Sequence, residues 1–256
     1  MPATPINRLV LVGVGIIAAL CLITGELLAT TYVTVGAKAS RQTWVYLCGL
    51  SPDFNSAIEL DNRKVLEEIG QEVGISFIAI NPQNRCEDAD NQICWLSDTP
   101  ATTMETHKQI EAVIGNQQIQ GYIGFSNGAF FLNKLSQIKE LNVPIIAIAG
   151  SGTIGSTPKK NTLYLLFGSE DPSYDDSVQK FIDDAKGTSL DIEFISYKDS
   201  HVIPKKELIE LFRRIMKYPL IQKVASASLE WEIPLIIGLQ DGDPKRPLIV
   251  WRLLEF

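Results

Sequence analysis

From residue 43 onward, short and almost wholly apolar runs alternate with amphipathic segments of twelve residues. The runs are Trp44–Leu50, Ile75–Ile80, Gly121–Phe125, Val143–Ala149, Leu163–Phe167 and Ile192–Tyr197. A strand that is apolar along its whole length must be covered on both faces, as in a parallel sheet. The intervening segments, 62–73, 103–114, 127–138, 174–185 and 205–216, carry helical spacing; in the last, Leu208, Leu211, Phe212 and Ile215 form one stripe. Strand–helix alternation over this length predicts an α/β, doubly wound, mostly parallel sheet of about six strands, linked by right-handed crossovers. Ligands in such sheets bind beyond the carboxyl ends of the strands, so the chemistry is sought in the residues that follow each run.

The two ends depart from this pattern. Leu9–Thr24 is an uncharged apolar run of 16 residues preceded by Arg8. That is a little short of the roughly 20 residues of a comfortable bilayer span, and the basic flank matches an export signal. It predicts an exported chain over residues 1–39, with the segment either cleaved or retained as a membrane anchor. Residues 40–218 form the expected α/β domain. Within 219–256, WEIPLIIGL and PLIVWRLL flank QDGDPKR, which reads as a β-ribbon-like extension. With a net charge of −7 and no basic stripe, nucleic acid is not an expected partner.

Cys86 and Cys94 lie in a polar segment that looks too irregular for helix or strand, and their spacing suits a loop-closing disulfide. Such bridges persist outside the reducing cytosol, in agreement with export. The chain has only two histidines and no C-x-x-C, so no metal site is expected. Cys48, inside an apolar run, reads as a reduced core thiol.

Gly124-Phe125-Ser126-Asn127-Gly128 is a G-x-S-x-G pentapeptide that ends one predicted strand and opens the next predicted helix. A reactive serine needs that setting, a tight turn that lifts the hydroxyl out of the sheet. A serine is a weak nucleophile without a base. His201, four residues after the last run, can hang over the same edge, whereas His107, among Glu105, Lys108 and Glu111, is expected on a helix surface. An imidazole base needs a carboxylate to hold its tautomer. Asp171, held extended before Pro172, is the expected acid; Glu170 is the second choice and Asp199 the third.

The segments GFSNGA, FGSEDP, DSHVIP and LCGLSPD, in the chain order serine, acid, histidine, resemble the α/β-hydrolase superfamily over roughly residues 43–217. The likeness is strongest to its small carboxylesterase and acyl-thioesterase branch, with dienelactone-hydrolase-like members. Members usually have two further strands before the first apolar run. Residues 25–42 leave little room for both, and the gap between Ala149 and Leu163 is too short for an inserted cap domain, so a minimal α/β-hydrolase fold is expected. The resemblance implies a Ser126–Asp171–His201 triad, an oxyanion hole made by the backbone N–H groups of Leu50 and Asn127, and no cofactor. That branch commonly has Leu-His-Gly-Leu where this chain has Leu47-Cys48-Gly49-Leu50, so Cys48 departs from it. The expected substrate is a carboxylic ester or thioester at an open site shaded only by the Cys86–Cys94 loop, which could bring Trp95 to the substrate. Phe54, Phe125 and Phe130 are candidates to line an acyl pocket, and equally candidates for the core.

Two other readings compete. Gly150-Ser151-Gly152-Thr153-Ile154-Gly155 matches a dinucleotide fingerprint, but the seven residues STPKKNT that follow, with Pro158 among them, cannot supply the helix that would receive a pyrophosphate. A catalytically silent hydrolase fold used for binding is the alternative function.

Overall fold

The computed structural model describes residues 32–38, 40–155, 158–172, 174 and 176–217; the expectations for 1–31 and 219–256 lie outside them. The strands are β1 (Tyr32–Gly36), β2 (Thr43–Leu47), β3 (Ser76–Ile80), β4 (Asn84–Cys86), β5 (Gln92–Cys94), β6 (Ile119–Phe125), β7 (Ile145–Ile148), β8 (Asn161–Gly168) and β9 (Leu190–Tyr197). The helices are α1 (Ala57–Val73), α2 (Pro100–Ile114), α3 (Asn127–Ile138), α4 (Asp176–Ala185) and α5 (Lys205–Lys217). Seven strands form the main sheet in the order β1-β3-β2-β6-β7-β8-β9. All neighbours pair in parallel except β1, which runs antiparallel to β3 with Tyr32 opposite Ile80.

The six apolar runs all become strands, buried along nearly their full length in β2, β3 and β7. Side chains on both faces explain this. On one face Phe212 of α5 meets the rings of Trp44 and Phe77 edge-on, at 4.9 and 5.8 Å between centroids. Lys205 and Arg213 of α5 reach Glu68 and Glu72 of α1, which shares that face. On the other face α2 and α3 are joined by Lys139 and Glu111, 2.7 Å apart.

The expected mostly parallel sheet of about six strands is present and counts seven, because the alternating stretch YVTVG ahead of the first apolar run suffices for an antiparallel edge strand. Two expectations need correction. The cysteine segment is not irregular throughout: β4 and β5 pair as a hairpin closed by the Cys86–Cys94 disulfide. Arg85 braces it by donating to the carbonyls of Asn91 and Pro52. His107 is not a surface residue but 1% exposed, because position 107 of α2 faces the sheet. Its Nε2 lies 3.5 Å from the Tyr122 hydroxyl and its Nδ1 3.2 Å from Lys139 Nζ. Burial first, and then the Lys139 charge, hold this imidazole down to about 4, so it is neutral at pH 7.

A second buried polar group lies beneath the loop that follows β2. Glu59 in the first turn of α1 accepts from the Tyr46 hydroxyl at 3.3 Å. Arg63, one turn on, sits 4.1 Å over the Phe54 ring and donates to Asn55. Burial pushes the Glu59 carboxyl up to about 7, against the opposing pull of the Arg63 guanidinium. A carboxyl raised in the folded state favours folding below its unfolded value near 4.5, and that contribution is lost as pH rises through 7. Glu59→Gln should therefore gain stability relative to the wild type, by on the order of 2–3 kcal/mol, between pH 4.5 and 8. Urea unfolding of both proteins across that range measures it, and a constant difference would contradict it.

Candidate active site

In the main sheet the chain steps from β2 to β3 in one direction and returns to β6 beside β2. The helices that follow β2 and β6 consequently leave to opposite faces, and a crevice opens beyond the carboxyl ends of these two strands. Leu47-Cys48-Gly49-Leu50 and Phe125-Ser126-Asn127 are the segments that enter it.

Ser126 is the single residue between β6 and α3, at φ 51° and ψ −114°. That backbone is strained for any residue with a side chain, so the surroundings must enforce it. The Ser126 N–H donates to the Ile148 carbonyl at 2.8 Å, and its own carbonyl accepts from Phe130 N–H at 3.0 Å. A methyl group on Gly124 would lie 2.5 Å from the Gly128 carbonyl oxygen, and one on Gly128 would overlap the Leu47 carbonyl. The two glycines let helix and strand cross at this distance. Gly150 belongs to the same packing, since a methyl there would come within 2.5 Å of the Ser126 carbonyl oxygen. The glycine-rich run after β7 thus gives room to the serine turn, and Asn133 ties it down by donating to the carbonyls of Gly150 and Ser151.

Asp171 follows β8 and His201 follows β9, and the two loops are stitched together. Ser169 and Glu170 N–H groups donate to the Tyr197 and Asp199 carbonyls, and the Tyr197 hydroxyl donates to the Val202 carbonyl. His201 Nδ1 stands 2.7 Å from Asp171 Oδ2. A buried carboxylate can only accept, so the proton of the neutral ring sits on Nδ1 and Nε2 carries the free lone pair. Of the three carboxylates weighed from sequence, Asp171 is the one on the imidazole, with its side chain fully buried. Glu170 is exposed, and Asp199 accepts from the Ser200 N–H. The His201 ring packs at 4.9 Å on the ring of Phe125, the residue next to Ser126, and its side chain is 37% exposed. Among the described residues no hydrogen bond joins Ser126 to His201.

Gly49 abuts the serine, since a methyl on it would lie 3.1 Å from Ser126 Cβ, and Leu50 follows it with a half-exposed side chain. Trp95, 4% exposed, lies under this junction. Its indole N–H donates to the Cys48 carbonyl at 2.9 Å and its backbone N–H to Asn127 Oδ1 at 2.7 Å. Sequence reasoning offered Trp95 to the substrate; the structure instead makes it a strut between the loop after β2 and the start of α3. Ile93 N–H donates to the Ser51 carbonyl, so the disulfide hairpin braces the same loop. This Trp95–Asn127–Cys48 clamp was missed from sequence, where the only signal was a tryptophan directly after the second cysteine of the hairpin. Phe54 is buried beneath Arg63 and Phe125 beneath His201, while Phe130 is exposed. A cavity of about 310 Å³ between the start of α2, α3 and the loop after β7 is lined by none of Ser126, Asp171 and His201.

No family model matches the sequence, and no curated protein matches it. Solved structures do. A carboxylesterase from Mesorhizobium loti superposes with a TM-score of 0.57 at 15% identity, over 73% of this chain and 94% of that one. The Bacillus cereus carboxylesterase gives 0.55 at 12% identity, over 77% and 98%. YahD, solved with malic acid, gives 0.51 at 13% identity, over 73% and 98%. With its sheet order, its serine turn after β6 and these likenesses, the chain has the α/β-hydrolase fold.

Proposed function

We propose that this protein is an exported serine hydrolase that cleaves carboxylic esters or thioesters through an acyl-enzyme intermediate, with Ser126 as nucleophile, His201 as base and Asp171 as orienting carboxylate. The observation that carries this reading is the 2.7 Å contact between His201 and buried Asp171, formed on the ring that adjoins the strained turn at Ser126.

In the first step His201 Nε2 takes the hydroxyl proton as Ser126 Oγ attacks the carbonyl carbon. The Leu50 and Asn127 backbone N–H groups receive the negative oxygen of the tetrahedral intermediate. Donors fixed beforehand stabilise that charge more than the planar ester, which lowers the barrier. Asp171 stabilises the imidazolium, which then gives its proton to the departing alcohol or thiol. Water enters, His201 takes its proton, and the acid is released with Ser126 restored. Fixing the loop after β2 through Trp95 and the hairpin keeps these donors from reorganising during the reaction. The Cys86–Cys94 disulfide supports an oxidising compartment, and the apolar run at 9–24 supports export or anchoring.

A fluorophosphonate probe should label the wild type and leave Ser126→Ala unlabelled. Failure to label correctly folded wild type would favour a catalytically silent binding protein instead. Asp171→Asn should lower kcat on p-nitrophenyl butyrate by roughly 10³–10⁴-fold while leaving KM within a few-fold, since it disturbs the base rather than substrate binding. Activity should fall on acidification, because a protonated imidazole cannot take the serine proton; a flat profile from pH 5 to 8 would count against His201.

A further inference from the structure

Among the described residues, the exposed large apolar and aromatic side chains are not scattered. Leu50, Phe130, Tyr174 and Val202 stand on the loops and helix start that surround Ser126, Asp171 and His201. Ile58, 62% exposed, and Leu60 project from the first turn of α1, at the same end of the sheet. Tyr32, the remaining one, opens β1 opposite Ile80, the last residue of β3, so it too lies at the carboxyl edge. The opposite edge presents none of this kind among the described residues. Isolated exposed apolar side chains need no explanation, but a set gathered at one end around a reactive serine marks a contact surface.

The direction of β1 says what that surface meets. Because β1 is antiparallel to the rest, the chain enters the sheet at the carboxyl edge, not at the far end. Only seven residues separate Thr24, the end of the 16-residue apolar run, from Tyr32. Fully extended, that link spans roughly 25–30 Å. If the run is held in a bilayer, the edge that carries Ser126 is kept within this distance of the lipid. A retained segment on β2, β3 or β6 would have emerged at the opposite end. The net charge of −7 leaves apolar burial rather than attraction to anionic headgroups as the force of contact.

We infer that the carboxyl edge of the sheet is a bilayer-facing surface, and that the substrate is an acyl ester or thioester carried in that bilayer. The substrate part rests on the serine hydrolase reading; the orientation does not, and its test is independent of catalysis. The full chain with Cys21→Ser is labelled with an environment-sensitive fluorophore through Ile58→Cys or, at the opposite edge, Lys186→Cys. Each is mixed with phosphatidylcholine vesicles containing a fraction of lipid with a nitroxide near the headgroup end of the acyl chain. Quenching should be severalfold stronger at position 58 than at 186, and should change little with added salt or phosphatidylserine. Equal quenching, or stronger quenching at 186, overturns the orientation.

The activity arm compares wild type with Ile58→Asp/Leu60→Asp, neither residue being part of the catalytic machinery. Hydrolysis of p-nitrophenyl palmitate dissolved in the vesicles should drop roughly tenfold, while that of soluble p-nitrophenyl butyrate stays within twofold. Equal rates of wild type and variant on the vesicle ester overturn the substrate assignment. A wild type inert toward both esters defeats the hydrolase reading, and with it the substrate assignment, but leaves the orientation to the quenching result.

Discussion

The close crossing of α3 over the end of β2 is the constraint from which the rest of the site follows. Gly128 sits directly on the Leu47 carbonyl, and Gly124 on Gly128, so the helix that begins at Asn127 cannot be moved outward without emptying the core beneath it. The backbone at Ser126 has to turn through a left-handed conformation to satisfy that packing, and the energy it stores is held by the bonds to Ile148 and Phe130. The same crossing brings Gly49 against the serine side chain, so the loop after β2 and the serine turn are neighbours.

The second half of the site depends on a different kind of fixing. Asp171 and His201 belong to the two strands at one end of the sheet, and their loops hold each other through main-chain bonds as well as through the 2.7 Å contact. A buried carboxylate is costly to desolvate and is retained where a partner repays the cost. Here the partner is the imidazole, whose ring is confined by the Phe125 face. The His201–Asp171 pair therefore meets the serine turn through Phe125, although His201 and Phe125 lie far apart in sequence.

Much of this was legible in the residues, for reasons of physics. Continuous apolar runs can only be buried on both faces, so the parallel core and its order of elements were readable without coordinates. The serine turn was readable because a strained turn between strand and helix needs its glycines at fixed offsets. What could not be read were the features set by long-range packing. His107 sits among Glu105, Lys108 and Glu111 in sequence and was therefore expected at the surface; its burial follows from Tyr122 and Lys139, which approach from β6 and from beyond α3. The β4–β5 hairpin is too short to announce itself by alternation, and its strands hold through a disulfide and Arg85 rather than through intrinsic preference. Trp95 was offered to the substrate because it follows a strand exit, but an indole N–H buried beside a free carbonyl is drawn to that carbonyl first.

That last point also accounts for Cys48, where the resembling branch commonly has histidine. The side chain at this position is wholly buried, and burial pushes its thiol well up, so at neutral pH it is an uncharged, inert filler. The functional group of residue 48 is its carbonyl, which takes the Trp95 indole proton. Through its backbone N–H the same tryptophan holds Asn127 Oδ1, so one residue spans both segments of the candidate oxyanion hole. The disulfide hairpin anchors Trp95 at its own end and the Ser51 carbonyl at the other side. The buried Cys48, the tryptophan at 95 and the bridge at 86–94 thus act together to hold the short loop after β2 against the start of α3.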